Sequence, residues 1–551
     1  MNIQLREWQK EALKKSHNWL LELNNRNFLI NAAPGSGKTI ASCAIAQSLI
    51  ELNKIDRVIV IAPRSEVVNQ WAKDFELITK RYMAKVTASD GNISQLRLDI
   101  CATWTAITGL LPELKAVCRT SNVLIICDEH HHAAIKAVWG QSADSAFIDA
   151  KYALILTGTP IRSDGEESIW MAYDENGKID HPDDGSYTLT YGQAVDLNYC
   201  RPVTFHRHEG NFNVVLDNKE LTISSQEPVT LTGNLKDSKE LQKILDFSNL
   251  VNIPQYENNT ENPSIDGYQA SMMEYAIEKL DELRLEMPTA GGLIIAPSIE
   301  FAEYFAKLVK IIDGEPGVIV HSLTTNPDLK IDRYRKTNAR WLISVGMVSE
   351  GVDIKRLRLL VYLPRPRTEL AFRQAVGRVV RTFGPNDNSR AYVIMPPLEI
   401  FDMYARTIEN EMPPSAREKG QKTKKHCPIC NESCQINELI CPCCEHQFIV
   451  KPPRLKTCES CDHLNPLKAN ECENCGESFN PSFSMKLEEA MRLGVITRGM
   501  DISEEEATEG ERIAPLVKSR ILASGDSILI NTLNNFPPES FARIKDIVNN
   551  T

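Results

Sequence analysis

Phosphate chemistry is most legible in the stretch Asn31-Ala-Ala-Pro-Gly-Ser-Gly-Lys-Thr39. Gly35 and Gly37 leave room for backbone N–H groups to curl round a phosphate, where a side chain would obstruct the approach. Pro34 and Ser36 complete the turn, Lys38 has the reach for β- and γ-phosphates, and the Thr39 hydroxyl suits a Mg²⁺ ligand. Such loops usually open with a further glycine, and here Ala32 takes its place. Read alone, the stretch is also compatible with an ordinary glycine-bearing turn.

Two more clusters carry charge suited to the same substrate. Asp128-Glu129-His130-His131 follows the apolar run Val123–Cys127, so two acids sit at the tip of a buried strand. Asp128 is placed to hold Mg²⁺ and Glu129 to polarise an attacking water, while His130 and His131 would couple the site to a neighbouring segment. An exposed acidic turn is the alternative. In Gln374-Ala-Val-Gly-Arg378-Val-Val-Arg381 the polar residues recur at helical spacing, so Gln374, Arg378 and Arg381 share a face. A planar guanidinium suits the charge that develops on a γ-phosphate, whereas the plainer reading is a solvated basic face. Near the start of the chain, Gln9 is placed to hydrogen-bond an adenine edge, if it is not simply part of a surface helix.

Fifteen cysteines are present, ten of them between Cys427 and Cys475. Cys427/Cys430 and Cys441/Cys444 form one pair of Cys-x-x-Cys knuckles; Cys458/Cys461 and Cys472/Cys475 form another with the same gap, 31 residues on. Phe448 and Phe479 keep that register too. A repeated Cys₄ set predicts two structural Zn²⁺ sites of zinc-ribbon type. Redox pairs and an iron–sulfur cluster are the rivals. Cys434 and Cys443 are supernumerary, and His426, His446 and His463 offer substitute ligands. A module this small cannot build an adequate apolar core, so the metal must supply folding energy. Lys419, Lys422, Lys424 and Lys425 precede the first module, and Lys451, Arg454 and Lys456 join the two. These suit a nucleic-acid backbone, although each Cys₄–Zn centre brings about two negative charges of its own. A purely structural role or a protein-docking role fits the same residues.

The elements that must position these groups alternate. Phe28–Ile30, Arg57–Ala62, Val123–Cys127 and Tyr152–Leu156 read as buried strands, with helical segments at 40–52 and 66–78 between them. Alternation of this kind predicts an α/β fold with a parallel sheet, whose ligands sit at the carboxyl ends of the strands. Pro63-Arg64-Ser65, Thr103-Trp104-Thr105 and Thr157-Gly158-Thr159-Pro160 fall at those ends. A second set runs through Gly291–Ala296, a helix at 298–312, Gly317–Val320, Trp341–Ser344 and Leu357–Leu363, and closes with a helix from Arg367 to Arg381. Between the sets, 174–186 reads as a surface loop, 214–223 as a hairpin and 252–262 as a linker.

With 551 residues the chain is long enough for about three to four domains. Apolar content of 42% and charged content of 25% are those of a soluble globular protein, and no apolar run is long enough to span a bilayer. Met1 is not followed by a basic-then-apolar leader, and the scattered cysteines read as reduced thiols, so a cytoplasmic location is expected. A net charge of −11 offers no bulk attraction for nucleic acid, so any such surface must be a local groove.

Taken in order, Ala-x-x-Gly-x-Gly-Lys-Thr (32–39), Asp-Glu-His-His (128–131) and Thr-Gly-Thr-Pro (157–160) resemble motifs I, II and III of superfamily 2 helicases, in the DEAD/DEAH-like branch related to type III restriction motor subunits. Leu5-x-x-x-Gln9 is similar to the upstream glutamine motif, 346–353 to motif V and 374–381 to motif VI. The resemblance implies two RecA-like lobes with ATP and Mg²⁺ between them. It makes Arg378 and Arg381 arginine fingers, Gln374 a nucleotide-proximal partner, and Gly351 and Asp353 the residues linking nucleotide to bound strand. The expected division is a first lobe at 1–165, an embellished connection at 166–268, a second lobe at 269–412, tandem Cys₄ modules at 413–480 and a helical, acidic tail at 481–551. The expected activity is an ATP-dependent helicase or translocase, with DNA favoured over RNA by the resemblance. The alternatives are a duplex translocase or remodeller that does not separate strands, and a nucleotide-gated binding subunit of a repair or defence assembly. A protein partner could dock on the zinc modules or the acidic tail, and no membrane is expected.

Overall fold

The computed structural model describes residues 4–63, 65–86, 98–130, 138–158, 170–173, 179–216, 219–225, 245–257, 260–321, 324–345, 353–364, 368–383, 387–413, 416, 424–427, 429–430, 432–435, 438–447, 455–458, 460–466, 469, 471–477, 479 and 482–485. Arg64, His131, Thr159, Pro160, Gly351, Lys419, Lys422, Phe448, Lys451, Arg454 and the stretch 486–551 lie outside these.

Seven strands form the first sheet. They are Asn27–Ala32 (β1), Arg57–Ala62 (β2), Met83–Val86 (β3), Asp99–Thr103 (β4), Val123–Cys127 (β5), Tyr152–Thr157 (β6) and, after the short pair Ala172–Tyr173 (β7) and Ile179–Asp180 (β8), Ser186–Leu189 (β9). Their order is β3-β4-β2-β5-β6-β1-β9, and every pairing is parallel. Strands β2, β5 and β6 are buried along their whole length, as near-continuous apolar runs must be when helices cover both faces. The helices are Glu7–His17 (α1, continuing as a π-helical turn at Asn18–Glu22), Lys38–Glu51 (α2), Ser65–Thr79 (α3), Trp104–Gly109 (α4), Leu111–Thr120 (α5) and Val138–Phe147 (α6). Because all strands run one way, the loops after β1, β2, β4, β5 and β6 leave from one edge, which brings distant motifs together.

Tyr191–Asp196 (α7) then leads to a second parallel sheet. Its strands are Val203–Arg207 (β10), Gly291–Ile295 (β13), Val318–Val320 (β14), Trp341–Ser344 (β15), Leu357–Tyr362 (β16) and Ala391–Met395 (β17), in the order β10-β17-β16-β13-β15-β14. Phe247–Leu250 (α8), Tyr268–Glu286 (α9), Ile299–Asp313 (α10), Pro327–Lys336 (α11), Glu369–Val379 (α12) and Glu399–Glu411 (α13) are its helices. The architecture is the expected one: α/β, two parallel lobes in tandem, then a cysteine-rich region.

Several boundaries differ from the sequence reading. The stretch 166–268, expected to be a connection, supplies an edge strand to each sheet: β9 pairs with β1, and β10 pairs with β17. Each satisfies the backbone groups of an otherwise open edge. The surface loop expected at 174–186 holds β8 and the start of β9 in its described part. The hairpin is present as Asn211–Leu216 (β11) and Lys219–Ile223 (β12), antiparallel. The tail expected from 481 begins as a strand, Ser482–Met485 (β22), which pairs in parallel with β11 and buries Phe483 and Met485. The chain thus returns to the second lobe after the cysteine modules. The final helix expected over Arg367–Arg381 is shorter: Thr368 caps it by accepting from the Ala371 N–H, and it ends at Val379. Arg381 lies past that end, in a β-bridge with Cys200, so it does not share the helical face with Gln374 and Arg378.

Candidate nucleotide site and metal modules

The phosphate loop joins β1 to α2. Gly35 and Gly37 have φ of +80° and +100°, values at which an L side chain is strained. Lys38 opens α2, and its Nζ donates to the Ala32 carbonyl at 2.8 Å, folding the ammonium back over the loop. Burial lowers its pKa, and the charge of Arg381 adds to this against the opposing pull of Glu129 and Asp128. Thr39 follows on the first turn of α2. The buried Ser36 hydroxyl has no hydrogen-bond partner among the described residues, as suits a loop built to receive a polar ligand.

The loop is held from outside by two residues of the N-terminal segment. Gln9, buried on α1, donates from Nε2 to the Gly37 carbonyl at 3.0 Å and accepts from the Arg6 N–H at 2.8 Å. Gln9 therefore clamps the loop, a role that its place in the sequence does not suggest. Arg6 donates to the Ser36 carbonyl at 2.8 Å and lies over the Tyr199 ring, 4.3 Å from its centroid. The Cys200 thiol donates to the Pro34 carbonyl at 3.3 Å. Sequence reasoning misses Arg6, Tyr199 and Cys200, because none falls in a pattern that would mark it.

Asp128 and Glu129 leave the end of β5, beside the loop. Asp128 is pinned on three sides: Trp71 Nε1 donates to its Oδ2 at 2.7 Å, the Glu129 N–H to its Oδ1 at 3.1 Å, and Trp104 Nε1 to its carbonyl at 3.2 Å. Burial, and then the adjacent Glu129, raise its pKa. A divalent cation would relieve that excess of negative charge, so Asp128 fits a Mg²⁺ ligand. Glu129 occupies the left-handed region at φ +49°, a strained conformation for a non-glycine residue. His130 is buried beside it. Thr157 ends β6 and Gly158 follows it, where a Cβ would come within 3.0 Å of Lys38 Nζ.

The second lobe meets this site through α12. A Cβ at Gly377 would lie 2.7 Å from Pro34 Cβ, so glycine is what lets the helix press on the loop. Arg378 is buried on the same helix, and Gln374 is half-buried one turn earlier. Arg381 pairs with Asp353 at 2.9 Å, and its aliphatic stem covers Gly35. Burial alone would raise the Asp353 carboxyl, but Arg381 holds it below the usual range. Arg201 is fully buried nearby and staples the lobe-crossing segment to the end of α12: its backbone N–H donates to the Val380 carbonyl and its guanidinium pairs with Asp387 at 2.6 Å. An interlobe cavity of about 240 Å³ adjoins the loop, lined by Asn31, Pro34, Tyr191, Arg373, Gly377 and Glu411 among others.

Each cysteine module pairs two short strands, Lys424–His426 (β18) with Ser433–Gln435 (β19), and Leu455–Thr457 (β20) with Leu464–Pro466 (β21). The sulfurs of Cys427, Cys430, Cys441 and Cys444 all lie within 4.8 Å of one another, as do those of Cys458, Cys461, Cys472 and Cys475. Opposing pairs are 3.4–3.6 Å apart. A zinc tetrahedron with Zn–S near 2.3 Å has S···S edges of about 3.8 Å, while a disulfide needs about 2.05 Å. Both sets therefore fit zinc and neither is a set of disulfides. Of the histidines offered as substitutes, His446 and His463 are in neither set among the described residues.

Residues 2–162 match the family described as type III restriction enzyme, res subunit. An uncharacterized protein of Mycobacterium tuberculosis is 28% identical over 393 residues, which span 71% of this chain and 61% of that protein. A putative helicase of a Sulfolobus islandicus filamentous virus is 25% identical over 427 residues, 75% of this chain and 67% of the viral protein. Among solved structures, a fragment of a putative HsdR subunit of a type I restriction enzyme from Vibrio vulnificus is similar, with 17% identity, a TM-score of 0.48 and coverage of 74% of this chain and 66% of that one. No helix among the described residues is long and apolar enough to cross a membrane. Over residues 2–162, which hold the phosphate loop and the Asp128-Glu129 pair, the chain is thus similar to the type III restriction res-subunit family, and two cysteine tetrads that fit zinc follow its second lobe.

Proposed function

We propose that the chain hydrolyses ATP between its lobes and uses the cycle to move along a nucleic acid, with DNA favoured over RNA. The observation that supports this best is the convergence of Lys38 and Asp128 from one lobe with Arg381 from the other on a single loop, the Arg381 stem lying against Gly35 itself. The N–H groups of residues 35–38 cradle the phosphates, and Lys38 swings from the Ala32 carbonyl onto them. Glu129 orients the attacking water. Arg378 and Arg381 stabilise the charge that develops on the γ-phosphate, so hydrolysis requires the closed arrangement of the lobes. Mg²⁺, when bound at Asp128 and Thr39, neutralises phosphate charge. Zinc in the two modules supplies folding energy to a segment with little core of its own. Track contacts fall mainly on the backbone, so binding is salt-sensitive and sequence-tolerant. DNA rests on the likeness to the restriction res-subunit family.

The test is ATP hydrolysis by the purified chain, alone and with single-stranded, duplex and forked DNA and with RNA, against Lys38→Ala. Stimulation by DNA that Lys38→Ala abolishes is expected. A folded, metal-loaded sample that no nucleic acid stimulates would end the autonomous-motor reading and favour a partner-gated subunit.

A further inference from the structure

The 31-residue repeat places Asn465 where the first module has Cys434, and the two occupy the same position in space. Asn465 is fully buried on β21, and its Nδ2 lies 3.5 Å from the sulfur of Cys472, the third cysteine of its module, and 2.8 Å from the His463 carbonyl. Cys434 is buried on β19, and its sulfur lies 3.9 Å from that of Cys441, the third cysteine of the first tetrad, and 3.6 Å from the Glu432 carbonyl. Cys441 and Cys472 are repeat equivalents, and so are Glu432 and His463. Two different side chains thus address the same sulfur and the same carbonyl.

We propose that Cys434 is not a ligand but the counterpart of Asn465, each being a positioning residue that donates a hydrogen bond to the third ligand sulfur of its module. The proposal rests on the reading that the tetrads hold zinc. Hydrogen bonds to a ligating thiolate fix its orientation and tune its hold on the metal. The two donors are unequal. An amide carries two N–H protons, so Asn465 serves the sulfur and the carbonyl together, and its Oδ1 also accepts from the Glu473 N–H at 2.8 Å. A thiol has one weak proton, so Cys434 serves only one acceptor at a time. The third ligand of the first module is therefore the less firmly held, and the first module is the one that loses zinc sooner.

The experiment uses the full chain purified with zinc, counts the metal per chain, and follows its release to a chromogenic chelator. Wild type is expected to hold two zinc ions and release them in two phases of one ion each. Cys434→Asn should slow the fast phase, and Asn465→Cys should speed the slow one. Asn465→Ala should accelerate that phase by about tenfold. The untouched module in each variant is the internal control for folding. Loss of one zinc outright in Cys434→Asn would show Cys434 to be a ligand and overturn the proposal. So would release rates that none of these substitutions changes while both ions remain bound. Wild type with no bound metal is the separate result that would remove the zinc reading itself.

Discussion

The Arg381 guanidinium pairs with Asp353 at 2.9 Å while the stem of the same side chain covers Gly35, where a Cβ would come within 2.7 Å of Arg381 Cγ. One residue of the second lobe thus rests on the phosphate loop and is held there by an acid of its own lobe. Arg381 sits past the end of α12, and its guanidinium is aimed by two partners, the Asp353 carboxylate and the Gly377 carbonyl of the helix, which accepts from its Nε at 3.3 Å. Under the proposed function, Asp353 would act on hydrolysis through Arg381. Arg381→Ala should lower kcat for ATP by about a thousandfold, the low end for an arginine finger. Asp353→Asn should cost less, about tenfold, and the double variant should be no slower than Arg381→Ala alone. A double-mutant cycle in steady-state hydrolysis measures this, and additive losses would show that the two residues act separately.

Gly377 and Pro34 make a second contact between the lobes that tolerates no added atom, with 2.7 Å between an ideal Cβ and Pro34 Cβ. In an isolated helix Gly→Ala is favourable by about 1 kcal/mol. Here the methyl would push α12 off the loop and carry Arg378 with it. Gly377→Ala should therefore leave the melting temperature nearly unchanged while lowering kcat by about a hundredfold, the cost of a misplacement of about 1 Å. Calorimetry beside steady-state ATP hydrolysis separates the two effects.

Much of this site is legible in the sequence because its chemistry is local. The phosphate loop is nine consecutive residues, the acids follow a five-residue apolar strand, and each zinc set is two knuckles with a fixed gap. Each signal lies within a short window, and a parallel sheet brings the windows together. What stays hidden depends on contacts made at long range. Trp71 stands on the apolar stripe of α3, and no pattern tells an indole that only packs from one whose N–H meets Asp128, 57 residues on. Strand β10 reads Val-Thr-Phe-His-Arg, with half-buried Thr204, His206 and Arg207, so it lacks the continuous apolar signature of the central strands. Strand β22 finds β11 across roughly 270 residues and two metal modules, a pairing that only the folded second lobe provides. The periodicity overruns the end of α12 because Val380, the C-cap, keeps the apolar rhythm for a residue past the last helical position, before Arg381 turns to bridge Cys200.

Asp387 holds the segment that crosses between the lobes. Burial would raise its carboxyl, but the guanidinium groups of Arg201 and Arg358 hold it well below the usual carboxylate range. A folded-state pKa that is depressed contributes stability that is fully present above the unfolded value, near 3.9, and is lost as pH falls through the folded one. Asp387→Asn leaves Arg201 buried and fully charged without its partner, which should destabilise the second lobe by about 3–5 kcal/mol at pH 7. Urea unfolding followed by tryptophan fluorescence should show that deficit undiminished at pH 6 and narrowing below about pH 4, where the carboxylate of the unfolded wild-type chain begins to take up its proton. A deficit that stays constant down to pH 3 would mean that the pair contributes no differential charge stabilisation.

Trp71 is buried on α3, and its indole donates to Asp128 Oδ2 at 2.7 Å, while the opposite oxygen receives the Glu129 N–H. The carboxylate is thereby locked in one rotamer before any cation arrives, and a preformed ligand spares the ordering that binding would otherwise require. Trp71→Phe keeps a large apolar ring in the same stripe and removes only the donor. If the indole serves the metal carboxylate, the concentration of Mg²⁺ needed for half-maximal nucleotide binding should rise about tenfold, while affinity in the absence of Mg²⁺ stays as it was. Titration of a fluorescent ADP analogue with and without Mg²⁺ makes the distinction. Trp104→Phe is the matched comparison, because its indole reaches only the Asp128 carbonyl, at 3.2 Å, and leaves the carboxylate free to keep its rotamer. An equal loss with and without Mg²⁺ would instead mark Trp71 as a packing residue of the first lobe.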